Sequence, residues 1–187
     1  MGDDSSPRNE LVRSVFEKAS NAAFGNRLIT NINRGLVAEA IVALALGPDW
    51  QWVSADYSSW DFERADGIKL EVKQSAALQS WSKAFHGANV ESKASFDIAP
   101  RTGYWQNQKW VPEVGRAAQI YVFCRHLIYD ETADHRDPYQ WEFYVVQASR
   151  LPIQKTISLK PLKVLCTAIS FEAVHSEVQT LASLISS

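Results

Sequence analysis

The run at 119–129, with the sequence QIYVFCRHLIY, is the feature that most constrains how this chain can fold. It is mostly apolar, β-branched and aromatic, which is typical of a central strand covered on both faces. Such a strand needs other elements packed on each side of its sheet. The sequence therefore predicts a layered domain built around this strand.

Three segments with helical spacing of apolar residues can supply those layers. The first begins at Asn9, and the third follows Ser170, its expected N-cap. The second follows Asn31 or Asn33 and ends at Gly47-Pro48. This second helix is apolar nearly all round, so it should be buried, and Glu39 interrupts its apolar surface.

Shorter β-prone segments complete the expected fold. They lie at 50–53, 61–74, 95–100 and 141–147, and a polar loop at 130–140 precedes the last one. Residues 1–8 read as a disordered leader, and no repeat or linker divides the rest. We therefore expect a single α/β domain over 9–187, with a central mixed sheet flanked by helices.

The composition limits the possible partners. The chain has 187 residues and a net charge of -2, so no overall basic field marks it as a DNA coat protein. A local basic groove on an enzyme remains compatible with this charge. Seven tryptophans are many for this length, and most of them are expected to fill the core.

The cysteines and the N-terminus indicate the expected compartment. Cys124 and Cys166 lie far apart and show no metal-ligand spacing, and Cys124 should be a small buried hydrophobe. The start, MGDDSSPRNE, is polar and unlike a signal peptide, and no apolar run approaches the ~20 residues that span a bilayer. A cytoplasmic protein with no membrane partner is the expectation.

A hairpin at 61–74 carries the candidate chemistry. Asp66-Gly67 is a strong turn signal between two alternating flanks. A turn centred on Asp66 places Asp61 opposite Glu71, and alternation puts Glu71 and Lys73 on one face with Asp61. Two carboxylates and one ammonium then converge on a small area.

Two interpretations of these three charges remain open. Like charges opposed across a ladder are destabilising, and a bound Mg²⁺ would relieve the repulsion because hard cations favour carboxylate oxygens. Such a metal could polarise a phosphate, and Lys73 could stabilise the developing charge. An ordinary surface hairpin with a salt bridge is the alternative.

The segment resembles the PD-(D/E)xK nuclease superfamily, whose order is an acidic helix, an Asp at a strand start, and E-x-K on the next strand. The resemblance implies that Asp61 and Glu71 bind the metal and that Lys73 is catalytic. It matches Glu39 to an additional metal ligand on the helix, and Gln74 to the residue after the lysine in members reading ExKQ. It covers about 33–75 well and the later strands only by pattern.

Two departures accompany this resemblance. Trp60 precedes Asp61 where the motif name has proline, and Asp66 is a competing choice for the aspartate that turn chemistry explains better. By resemblance, the fold is restriction endonuclease-like. The expected function is cleavage of nucleic acid, DNA before RNA, with Mg²⁺ or Mn²⁺, and a homodimer is possible by analogy. The alternatives are an inactive nuclease-like binding or assembly module, and a structural subunit that uses its tryptophans at an interface.

Two further regions of the sequence carry candidate binding residues. The segment 73–116 interleaves cations with aromatic residues, which could follow a phosphate backbone and stack on bases, or could turn the aromatics inward. A group of histidines and aspartates matches no known metal-ligand spacing: His126, Asp134, His135 and Asp137.

Overall fold

The structure, a computed structural model, describes residues 6–53, 59–82, 90–106 and 109–186. The helices that lie wholly within these residues are α1 (Pro7–Phe24), α2 (Asn31–Leu46), α3 (Leu159–Leu165) and α4 (Val174–Ser186). The strands are β1 (Trp50–Trp52), β2 (Phe62–Arg64), β3 (Lys69–Ala76), β4 (Ser95–Asp97), β5 (Tyr104–Gln106), β6 (Lys109–Val111), β7 (Ile120–His126), β8 (Trp141–Gln147) and β9 (Thr156–Ser158).

Five strands form the central sheet, in the order β1-β2-β3-β7-β8. Strands β3 and β7 are parallel and the other neighbours are antiparallel, so the sheet is mixed, as the sequence predicts. Every residue of β7 is buried, which confirms the central strand expected from the run at 119–129. The remaining strands pair as two small sheets, β4 with β9 and β5 with β6.

Each face of the central sheet has its own apolar core. The first core packs the sheet against α2 and α4, and Leu70 and Val72 enter it from β3. The second core packs the opposite face against β4, β9 and α3, and it includes Tyr121 and Phe123 of β7. The sheet flanked by helices is therefore confirmed.

Capping chemistry explains two of the helix ends, but the expected start of α2 is wrong. Helix α2 begins at Asn31 itself, after Thr30, so neither Asn31 nor Asn33 is its N-cap. Helix α1 begins at Pro7, within the expected leader, because Ser6 caps it by accepting a hydrogen bond from the Asn9 N–H and proline is favoured in the first turn. Helix α2 ends before Gly47, whose φ of 73° suits glycine. No helix among the described residues is long and apolar enough to cross a membrane.

Several expectations of burial are wrong. Helix α2 exposes three of its large apolar side chains, Ile32, Leu36 and Leu44, because only one stripe of the helix faces the sheet. Helix α1 has no buried residue at all.

The tryptophans also depart from expectation. Three are buried, Trp50, Trp60 and Trp141, whereas four are at least 39% exposed, namely Trp52, Trp81, Trp105 and Trp110. Most of the tryptophans therefore do not fill the core. Cys124 is fully buried, as predicted.

Candidate active site

The hairpin that joins β2 to β3 has the predicted register. Phe62 pairs with Leu70 and Glu63 pairs with Lys69, so the turn is centred on Asp66. The Arg64 N–H donates to the Ile68 carbonyl at 2.9 Å, and Gly67 has a φ of 84°. These contacts close the turn and fix which residues of β2 and β3 face each other.

Asp61 lies where the β2–β3 ladder ends. Its N–H donates to the Leu70 carbonyl at 3.0 Å, and its carbonyl accepts from the Val53 N–H at 2.9 Å. Trp60 enters the second core and Phe62 the first, although they are only two positions apart, so strand alternation stops at Asp61. Alternation alone therefore does not set the direction of this side chain.

The Asp61 carboxylate caps the backbone of β3. Its Oδ2 accepts a hydrogen bond from the Val72 N–H at 2.7 Å, beyond the last paired residue of β2. Backbone donors of a strand lie in the plane of the sheet, so this carboxylate also lies near that plane. From there it can interact with charges on both sides of the sheet.

Glu71 and Lys73 form an ion pair on the face of the second core. Leu70 and Val72 enter the first core, so alternation turns the side chains of Glu71 and Lys73 to the other face, as predicted. The exposed fractions of these side chains are 16% for Glu71 and 24% for Lys73. Their pairing is thus partly protected from water, unlike that of an ordinary surface salt bridge.

Nearby acidic side chains and burial raise the pKa values of Asp61 and Glu71. Burial, then the negative charges of Glu71 and Glu39, raise the pKa of Asp61 to about 8, against the opposing Val72 hydrogen bond and the Lys73 charge. Burial and Glu39 also raise the pKa of Glu71, while Lys73 lowers it. Negative charge is therefore concentrated here beyond what Lys73 balances.

Glu39 reaches this cluster from α2. Its Oε2 accepts a hydrogen bond from the Trp52 Nε1 at 3.0 Å, which ties α2 to β1. It acts on the pKa values of both Asp61 and Glu71, so the three carboxylates share one electrostatic environment. The helix supplies this third acid from the side of the sheet opposite Glu71.

Gln74 faces α2 and not Lys73. Its Oε1 accepts from the Arg34 Nε at 2.7 Å, and its Nε2 donates to the Asn31 side chain at 3.3 Å. The Arg34 guanidinium is buried, and burial lowers its pKa to about 10. In this arrangement Gln74 fixes α2, and hence Glu39, against β3.

A small cleft, with a cavity volume of about 50 Å³, lies beside the Glu71–Lys73 pair. Arg101 borders it and pairs with Asp97, and it also lowers the pKa of Glu71. Tyr121, directly opposite Glu71 on β7, forms part of the wall. The Glu71–Lys73 pair is therefore reached from solvent through this cleft.

A divalent cation fits the chemistry of these donors. Asp61, Glu71 and Glu39 offer carboxylate oxygens, the ligands that Mg²⁺ and Mn²⁺ prefer, and a cation would relieve their mutual repulsion. Among the described residues, no group of three or more histidine, cysteine, aspartate or glutamate side chains lies close enough to hold a metal ion. As placed, these carboxylates therefore offer suitable oxygens without forming a three-ligand site.

The histidine group at 126–137 has a structural arrangement. His135 accepts from the Ile29 N–H through Nδ1 at 2.9 Å, and its Nε2 lies 3.1 Å from the Leu78 carbonyl. The Nε2 of His126 lies 3.0 Å from the Gln140 Oε1. These contacts join three segments of the chain, although the buried Nδ1 of His126 has no hydrogen-bond partner among the described residues.

Sequence reasoning missed three residues around the site. Arg34 and Trp52 position Gln74 and Glu39, and Tyr121 forms part of the cleft wall. Arg101, also in the wall, belongs to the cations of 73–116 that the sequence indicates as candidate phosphate contacts. Their roles depend on how α2 and the segment after β4 pack on the sheet, for which local spacing gives no signal. Asp66, the competing aspartate, pairs with Arg64 at the turn, as turn chemistry predicts.

The comparisons with known proteins give no relative. No protein-family model matches the sequence, and no curated protein matches it.

Proposed function

We propose that the chain is a metal-dependent nuclease that hydrolyses phosphodiester bonds, with DNA as the preferred substrate and a restriction endonuclease-like fold. The observation that carries this proposal is the charge imbalance at the end of the hairpin. Burial and the charges of Glu71 and Glu39 raise the pKa of Asp61, and Lys73 offsets only part of this rise. Of these side chains, Glu71 and Lys73 line the cleft.

The proposal assigns a role to each side chain. Asp61 and Glu71 hold the cation, and Glu39 contributes from α2 directly or through water. A bound Mg²⁺ or Mn²⁺ supplies a Lewis acid that polarises the phosphate and lowers the pKa of a water molecule. Lys73 stabilises the negative charge that develops on the phosphate, and Gln74 holds α2 in place.

The element order supports the fold that is proposed. An acidic residue on α2 precedes the β2–β3 hairpin, and β3 then pairs in parallel with β7 at the centre of the sheet. Glu71 and Lys73 line a cleft. The order of acidic helix, aspartate before β2 and E-x-K on β3 is the one that the resemblance to PD-(D/E)xK nucleases implies.

Lys73→Met is the variant that tests the proposal. We expect it to reduce Mn²⁺-dependent cleavage of plasmid, single-stranded DNA or RNA by about 10²–10³-fold, because it removes a charge that stabilises the transition state. It leaves Glu71 without its partner, so a stability loss of about 1–3 kcal/mol is expected, with the fold retained by circular dichroism.

Lys163→Met is the matched control, since Lys163 lies on α3 near Glu142 and Tyr144, away from the hairpin. It should leave cleavage unchanged. The proposal is contradicted if the parent protein cleaves none of these substrates and shows no melting shift with Mn²⁺. An inactive binding module would give that result while still retaining nucleic acid.

A further inference from the structure

Two exposed tryptophans stand together on the β5–β6 hairpin. Trp105 and Trp110 pair directly across its two strands, and they are 46% and 47% exposed. Their rings meet edge to face, with centroids 5.7 Å apart and an interplanar angle of 66°. Large apolar rings exposed together commonly mark a binding surface.

This tryptophan pair lies on the hairpin that forms one wall of the cleft, on the face opposite Tyr104. Gly103 lines the cleft, and a Cβ placed on it would lie 2.6 Å from Trp110 Cζ2 and 2.4 Å from the Val111 carbonyl. The Trp110 ring therefore rests directly on the backbone of the cleft wall. Tyr104, the next residue, also lines the cleft.

Cations lie along the same wall. The Lys69 Nζ lies 3.7 Å from the centroid of the Trp60 ring and 5.2 Å from that of Tyr104. The Arg101 backbone pairs with Gly115, which holds its side chain at the cleft. Arg101, which pairs with Asp97, and Lys69, which lies on the aromatic rings beside the cleft, are the cations proposed to meet a phosphate. The Arg116 guanidinium donates to backbone carbonyls and is structural.

We propose that Trp105 and Trp110 stack on unpaired bases of the strand whose phosphate enters the cleft, so that the nuclease acts on single-stranded or frayed DNA. Bases in an intact duplex already stack on their neighbours and present no free face, whereas unpaired bases stack on aromatic side chains without sequence preference. The inference rests on the proposed function, because the cleft is the site where the strand is cut.

The test measures binding without metal, so that it does not depend on cleavage. In EDTA, a fluorescently labelled oligo(dT) should bind and should quench tryptophan fluorescence, and the matching duplex should bind more weakly. Trp105→Ala and Trp110→Ala should each weaken oligo(dT) binding by about tenfold, which corresponds to the loss of one stacked base.

Trp105→Leu and Tyr139→Ala are the controls. Trp105→Leu keeps an apolar side chain without an aromatic face, so it should bind as weakly as Trp105→Ala. Tyr139 is 73% exposed beside Phe171, on the side of the first core, and Tyr139→Ala should bind like the parent. Melting temperatures near the parent value establish that the variants are folded.

Each outcome decides between the two claims. Unchanged oligo(dT) binding in the folded alanine variants overturns the inference, and so does tighter binding of the duplex. If Trp105→Leu keeps the oligo(dT) binding that Trp105→Ala loses, apolar area and not base stacking carries the binding, and the inference is overturned. Single-strand binding without cleavage in Mn²⁺ supports the stacking surface and contradicts the nuclease. Cleavage of duplex alone supports the nuclease and contradicts the stacking surface.

Discussion

Asp61 is a buried carboxylate beside two others, which is a costly arrangement for a protein without a cation. Its pKa of about 8 reflects burial first and the charges of Glu71 and Glu39 second. The hydrogen bond from the Val72 N–H and the charge of Lys73 lower the pKa of Asp61, but they offset its rise only in part. A side chain kept in such a place indicates a role that outweighs its effect on stability.

Asp61→Asn should therefore stabilise the metal-free protein. The amide oxygen can still accept from the Val72 N–H, while the charge facing Glu71 and Glu39 is removed. We expect a gain of about 1 kcal/mol, which for a chain of this size is about 2–4 °C in Tm. Thermal melts in EDTA measure the gain. In Mn²⁺, the Tm of the parent protein should rise, and the Tm of Asp61→Asn should not. A lower Tm in EDTA would contradict the idea that repulsion dominates here.

The site residues on β3 could be predicted from the sequence, and those around them could not. Alternation places Glu71 and Lys73 on one face because β3 is a regular strand. Asp61 follows a different rule, since alternation stops there and its carboxylate caps Val72. Trp52 binds Glu39 only because α2 lies against β1, a tertiary contact with no local pattern.

At the scale of elements, the β2–β3 turn sets the position of Asp61 against Glu71. Gly67 has a φ of 84°, where an L side chain is strained. Gly67→Ala should cost about 1–2 kcal/mol and should lower cleavage by shifting the hairpin. Gly35→Ala is the control, because a Cβ there meets nothing within 4 Å and alanine favours the helix by about 0.5–1 kcal/mol. Urea unfolding of both variants measures the contrast, and equal losses would contradict the role of the turn.

The strongly patterned elements could be predicted, and the weakly patterned ones could not. Strand β8 was predicted at 141–147 and is found there, since its run is long and its neighbours are turn residues. Strands β5, β6 and β9 have three residues each, too few for a period, and they form only through pairing with distant or adjacent segments. The β5–β6 hairpin, which carries the proposed stacking surface, was missed for this reason.

At the scale of the whole molecule, the segments that flank the site are tied together through one buried histidine. The His135 Nδ1 accepts a hydrogen bond from the N–H of Ile29, which lies before α2. Its Nε2 lies close to the carbonyl of Leu78, which lies after β3. Trp141 Nε1 donates to the His135 carbonyl at 3.1 Å, which adds β8 to the same contact. Helix α1 lies outside both cores, and its Leu11 and Phe16 side chains are each 69% exposed. The homodimer expected by analogy stays a prediction.

This histidine should make the fold sensitive to mild acid. Burial, then the charges of His126 and Arg34, lower the pKa of His135 from 6.5 to about 4, and burial also lowers that of His126. The unfolded chain therefore binds more protons than the folded one between about pH 6.5 and 4. Stability is fully present above pH 6.5 and falls as the pH drops, by up to about 1.4 kcal/mol per pH unit for each histidine.

His135→Gln separates this contribution from the others. Glutamine can accept from the Ile29 N–H and donate to the Leu78 carbonyl, but it does not titrate. We expect lower stability at pH 7, by about 1–3 kcal/mol, and a shallower loss between pH 6.5 and 4.5. Urea unfolding at pH 7, 5.5 and 4.5 gives the slope of the unfolding free energy against pH for the parent and for the variant. Asp61 acts in the opposite direction, because its raised pKa favours the folded state as the pH falls, and it does so equally in both proteins. It therefore cancels in the difference between the slopes, so parallel slopes would mean that His135 is not held neutral by the fold.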